Sequence, residues 1–306
     1  MDLTVRAAIH HLTCKNDWDS RGQFVALPGA FDAYYRDEQR ACGCGRDWFD
    51  VVQEFLRELP QRWTISELMG GVFKIKDLDL AAGQSITVSL DEMDVPVGAE
   101  IFDVHFSLIG GGSEGLPFVP ALVFGNELHL DPFPRWLRIH GVPTGRDGHL
   151  KVQLVIRYVA PGPDEVSLQQ LCAAGKHFIA GRFDGIILPA NVAVESAIGK
   201  ALALWLERFR PKDDVEFFLS DGATYSHQLK ILCQLAAHDV GAPAMPAPVR
   251  NRLDELRKYR NDVAHRGAPY RSSLPNLTKE SAATLLTAAL FGYQYARFLR
   301  EAVEHR

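Results

Sequence analysis

The segment KYRNDVAHRG, residues 258–267, sets an arginine and a histidine five positions apart, Arg260 and His265, with Asn261 directly after the arginine. These side chains suit chemistry at a phosphate. An imidazole takes or gives a proton near neutral pH. A guanidinium presents paired donors in the plane that a phosphate accepts. Between positions 250 and 271, seven basic residues stand against three acidic ones, which argues modestly for a phosphate-bearing partner. On charge alone, a solvated helix face laced with i,i+4 pairs accounts for the same cluster equally well.

The element that must position these residues is a helix over 249–265. At about 100° per residue, Val249, Leu253, Leu256, Val263 and Ala264 share one arc, and Arg260 falls near its centre. A guanidinium is seldom buried without a partner, because stripping its water is costly. An earlier helix offers one. Its stripe is Val194, Ile198, Leu202, Trp205 and Phe209, with Asn191 and Glu195 at the edge or within it. A Glu195–Arg260 bridge that only fixes helix register is one reading; a wet cleft or an interface around Arg260 is the other. His265 lies about 140° around the helix from Arg260. The two converge if the helix ends at His265, which Gly267 favours, or if two copies of the helix meet across a two-fold axis.

The bare R-x4-H spacing is weak, since it occurs four times: Arg6/His11, Arg135/His140, Arg260/His265 and Arg300/His305. Context separates them. Only the 260–265 copy has asparagine at its second position, lies late in a helix and precedes a glycine stop. With an earlier helix bearing an inward Glu and a long helix after it, this motif resembles the signature of the HEPN superfamily, over roughly residues 165–306. The resemblance implies a dimer that brings two motifs together in one cleft. It also implies a metal-independent endoribonuclease of a bacterial toxin or anti-phage defence system, needing no cofactor. Arg260 would then stabilise the phosphorane, His265 act as general acid/base, and Asn261 orient His265 or hold a phosphate oxygen. Glu195 would hold Arg260, and 2′-OH attack would leave a 2′,3′-cyclic phosphate. Lys258, Tyr259 and Arg266, beside the motif, would contact RNA, or else pack and be solvated. Some members of the superfamily are inactive, so a non-catalytic dimerisation and RNA- or protein-binding module is the alternative. A nucleotide-binding regulatory domain is a third, weaker one.

The rest of the chain sets the frame. Its 306 residues, 47% hydrophobic and 23% charged, suffice for about two domains. Residues 1–160 read as a mixed region, with FDAYYRDEQRA and DWFDVVQEFLREL as short helices and a β-sandwich or barrel over about 72–160. There EIFDVHFSLI and HLKVQLVIRYV alternate apolar and polar residues, and ITVSL, ALVFG, ELHL and WLRIHG fit the same period. APGPDE marks a boundary, and 165–306 reads as an all-α bundle. The expected class is α+β: an N-terminal β-sandwich-like region with flanking helices, then a C-terminal HEPN-like bundle.

The net charge of −5 is uneven: from Ile186 onward 16 Lys+Arg face 13 Asp+Glu, and before it 17 face 25. The acidic β-rich region makes a poor RNA platform and reads as a sensor, inhibitory or partner-binding module for a regulatory protein or ligand. His10, His11, Cys14, Cys42 and Cys44 have the right atoms for zinc but the wrong spacing, and free thiols in a turn fit better. Cys172 and Cys233 read as core residues. Five scattered cysteines suit a reducing cytoplasm. No apolar run reaches the roughly 18–20 residues of a membrane span, so no membrane partner is expected.

Overall fold

The computed structural model describes residues 30–37, 45–58, 65–66, 68–108, 118–124, 134–145, 148–162, 165–266 and 277–306. The expected ELHL strand and the group His10, His11, Cys14, Cys42 and Cys44 lie outside them. The fold is α+β, with two small antiparallel sheets and a set of C-terminal helices. The chain divides into two compact units, Met69–Pro163 and the combination of Met1–Leu68 with Asp164–Arg306. The described residues before Met69 therefore join the helices, rather than forming one region with the strands up to 160.

In the β-rich unit, β1 (Val72–Ala81), β6 (His149–Val159) and β3 (Glu100–Leu108) make one sheet, in the order β1-β6-β3. The other holds β2 (Ser85–Ser89), β5 (Trp136–Pro143) and β4 (Phe118–Phe124), in the order β2-β5-β4. One apolar cluster takes side chains from both: Leu78, Leu80, Val152, Leu154, Ile156 and Tyr158 from the first, Val88, Leu137 and Ile139 from the second. Alternation along β6 thus has its expected effect. In β3 a register shift between Ile101 and Asp103 breaks the alternation, so that both Ile101 and Phe102 are buried.

The helical unit is built around its last helix. There α1 (Ala30–Tyr35), α2 (Trp48–Glu58), α3 (Glu165–Ile179), α4 (Ile187–Leu206) and α5 (Lys212–Phe217) are followed by a π-helical turn, Phe218–Gly222. Next, α6 (Tyr225–His227) passes through a second π turn, Gln228–Leu232, into α7 (Cys233–Val240), which stops at Gly241 in the left-handed conformation. The set closes with α8 (Ala247–Arg266) and α9 (Lys279–Glu304). Thr278 caps α9 by accepting a hydrogen bond from the Ser281 N–H at 3.2 Å.

Every side chain from Ala282 to Ala296 of α9 is buried, so helices cover it on all sides. One cover is aromatic. Phe31, Tyr34 and Phe49 meet Phe291 edge-on, with centroids 5.1–5.3 Å apart, and the Tyr35 hydroxyl donates to the Phe291 carbonyl. These contacts bind the N-terminal segment to the helices. On another side, Gly292 lets α4 and α8 approach: a Cβ there would stand 2.7 Å from Leu253 Cδ1 and 3.0 Å from Val194 Cγ1.

Among the described residues one stretch, Phe183–Leu206, is long and apolar enough to cross a membrane, contrary to the reading of the bare sequence. Most of it is buried inside its own unit, as befits a core helix that is apolar nearly all round.

Candidate functional site

The motif occupies the last two turns of α8. Val249, Leu253 and Leu256 are buried as their spacing requires. Beyond Leu256 the buried face turns. Tyr259 and Asp262 are buried instead of Val263, which is half-buried, and Ala264, which is exposed. Tyr259 lies about 80° from Val249 around the axis, so the turn moves Arg260 from the centre of the stripe to its edge. Arg260 is half-buried there, and its Nη1 donates to Asn261 Oδ1 at 3.1 Å.

The Glu195–Arg260 ion pair is not formed. The Glu195 carboxylate accepts a hydrogen bond from Asn191 Nδ2 at 2.9 Å, one turn back on its own helix. Both misplaced polar groups have thus found a partner on their own element, and among the described residues no carboxylate pairs with Arg260. Glu195 therefore does not take the supporting role expected of it.

α8 stays helical through Arg266, so positions 260 and 265 remain about 140° apart around one axis. Of the two routes to convergence, an end at His265 is not taken. The side chains of His265 and Arg266 lie outside the described residues. Tyr259 is 1% exposed, which corrects its reading as an RNA contact to one of packing. Burial, with the nearby charge of Glu255, pushes its phenol pKa up. Lys258 is exposed, 3.4 Å from Asp254.

Asp254 is the hub of the basic helix. It also meets Lys230 at 3.0 Å and Arg257 Nη2 at 3.0 Å, while Arg252 pairs with Glu255 at 2.7 Å. Three of the seven basic residues counted from the sequence, Arg252, Arg257 and Lys258, are thereby paired within the unit. Burial alone would raise the Asp254 pKa, but hydrogen bonds from Lys230 and Arg257 outweigh it and hold the carboxyl below its usual range.

A second polar region lies at α4. A cleft of about 800 Å³ is lined by Val192, Glu195, Ser196, Gly199 and Ala203 of α4, Asp213, Glu216 and Phe217 of α5, and Leu219, Ser220 and Gln228 of the π turns. Neither Arg260 nor Asn261 lines it. Gln228 is 6% exposed and donates through Nε2 to the carbonyls of Leu219 and Ala223, both at 2.9 Å, tying one π turn to the other. Asn191 is 1% exposed, and its buried Oδ1 has no partner among the described residues. Beside Glu195, Tyr225 is buried. Desolvation and then the charge of Glu195 push its phenol far up, against the pull of Arg257.

The sequence pattern carries no signal for this cleft, because π turns have no side-chain signature and Gln228 looks like an ordinary surface glutamine. Cys172 and Cys233 are buried, as expected of core residues, and burial lifts the Cys233 pKa to about 12. Among the described residues, no group of His, Cys, Asp and Glu has a metal-binding arrangement. Comparison with protein-family models, curated proteins and solved structures finds no match for the chain.

Proposed function

We propose that the helical unit is a HEPN-like bundle, and that the protein is a metal-independent endoribonuclease of a bacterial toxin or anti-phage system, acting in the cytoplasm. In this reading Arg260 stabilises the developing phosphorane, His265 moves the proton and Asn261 orients the arginine. The observation that carries the reading is the state of Arg260. Its guanidinium is half-buried at the end of α8, braced by Asn261 at 3.1 Å and unclaimed by any described carboxylate, so its charge is left for a phosphate.

The continuous helix favours a homodimer, because two copies of α8 bring Arg260 of one chain toward position 265 of the other. The β-rich unit, a two-sheet sandwich in this reading, holds a regulatory ligand or protein. Cleavage of labelled total RNA and tRNA in EDTA tests the proposal. Wild type is expected to leave 2′,3′-cyclic phosphate ends, while His265→Ala and Arg260→Ala, both folded, leave the RNA intact. Cleavage by the variants at the wild-type rate overturns it.

One observation favours the non-catalytic alternative, a dimerisation module that binds RNA or protein. Lys230, Arg257 and Lys258 converge on Asp254, which reduces the field that α8 offers to RNA. RNA retained by wild type without cleavage, and retained equally by His265→Ala, would identify that alternative.

A further inference from the structure

The cleft between α4, α5 and the two π turns plays no part in the ribonuclease reading. Three carboxylates line it, Glu195, Asp213 and Glu216, together with the hydroxyls of Ser196 and Ser220. No lysine or arginine is among its lining residues; at the rim, Lys212 reaches Glu216 at 3.5 Å, with both side chains largely exposed. Its apolar surface comes from Val192, Ala203, Leu219 and Phe217, the last 69% exposed.

Acidity alone would not make this a site. The second observation is Gln228. It is nine-tenths buried and lines the cleft, and its donor nitrogen is spent on two carbonyls that fix its orientation. Its Oε1 has no hydrogen-bond partner among the described residues and is left as an acceptor. A third observation is that Asn191, itself buried, holds the Glu195 carboxylate by one oxygen at 2.9 Å. The cleft thus offers acceptors in fixed positions, an excess of negative charge and an aromatic face. π turns of this kind recur at functional sites, and the volume is that of a small-molecule pocket.

We propose that this cleft binds a small organic cation, an aliphatic amine or guanidine. The charged head donates hydrogen bonds from its N–H groups to the Glu195 carboxylate and to Gln228 Oε1, and the stem lies against Val192, Leu219 and Phe217. Asp213 and Glu216 draw the cation in from the rim.

Calorimetric titration of the full chain with spermidine and with agmatine, and with AMP as the anionic comparator, tests this. Saturable binding of an amine at one site per chain is expected. Glu195→Gln should weaken it by about tenfold, because that carboxylate is half-buried. Asp213→Asn should weaken it by about threefold, because that residue is exposed. Glu207→Gln, at the end of α4 outside the cleft, is expected to bind like wild type. Asp213→Asn changes only a surface side chain and carries the test if Glu195→Gln fails to fold. Wild type that binds neither amine overturns the proposal, as does a loss equally large in Glu207→Gln, which would mark diffuse attraction to an acidic protein. Preference for AMP over both amines overturns it too.

Discussion

Two helices of one unit carry a polar pair where an apolar stripe ought to run: Asn191 and Glu195 on α4, Arg260 and Asn261 on α8. Both pairs satisfy a charge locally, at 2.9 Å and 3.1 Å. They differ in what lies around them. Asn191 is fully buried, and Glu195 looks into an acidic cleft. Arg260 sits where the buried face of α8 has turned away toward Tyr259 and Asp262. The two charges serve two separate places. A charge buried at a helix edge does not demand a partner across the interface, because a neighbour on its own helix costs less order to recruit.

Activity offers the largest contrast. Arg260→Ala is expected to cut RNA cleavage by about 10²–10³-fold, the usual loss when a fixed transition-state donor goes. Glu195→Gln is expected to leave cleavage within about threefold of wild type, since Glu195 does not touch Arg260. Initial rates on one labelled RNA check both. Equal losses in the two variants would break the comparison and restore the bridge. Stability offers the next. Asn191→Asp sets a second carboxylate against Glu195 at a fully buried position, and is expected to cost about 3 kcal/mol in a denaturant titration at pH 7. Asn261→Asp, on α8 beside a guanidinium, is expected to be neutral or stabilising.

A smaller effect is expected where α4 and α8 meet as apolar surfaces. Gly292→Ala brings a methyl 2.7 Å from Leu253 and 3.0 Å from Val194. Overpacking costs about 1–3 kcal/mol, and the better helix propensity of alanine returns about 1. A net loss near 1 kcal/mol is expected, read as a fall of about 2–4 °C in Tm. No loss would mean that Leu253 turns aside freely and that the crossing is looser than the two polar flanks.

The elements with the strongest periodicity were legible in the sequence. Val194, Ile198 and Leu202 of α4 and the alternation of β6 follow from local pattern. Three features were not. The rotation of the buried face in α8 depends on what packs against its end, and a helical wheel drawn for a straight helix assumes one fixed neighbour. The allegiance of α1 and α2 rests on Phe31, Tyr34 and Phe49 reaching Phe291 more than 200 residues later, which no local pattern encodes. The cleft was hidden because its key acceptor, on Gln228, is defined by which carbonyls its nitrogen has already taken.

The smallest effect concerns Asp254, which decides how much of the charge on α8 is free. Its carboxyl pKa is held below the usual range by Lys230 and Arg257 against the opposing effect of burial. A carboxylate lowered in this way contributes stability above its unfolded pKa of about 4, and the contribution fades as pH falls through the folded value. Asp254→Asn is therefore expected to lose at most about 1 kcal/mol at pH 7, and its difference from wild type is expected to shrink as pH falls through the lowered folded value. Stability measured in urea from pH 7 down to pH 3 checks the sign. The same substitution releases Lys230, Arg257 and Lys258, so RNA affinity is expected to rise about threefold, with a steeper salt dependence. If affinity stays constant while stability falls, the basic side chains of α8 do not face the RNA, and the phosphate contact narrows to Arg260 and the end of the helix.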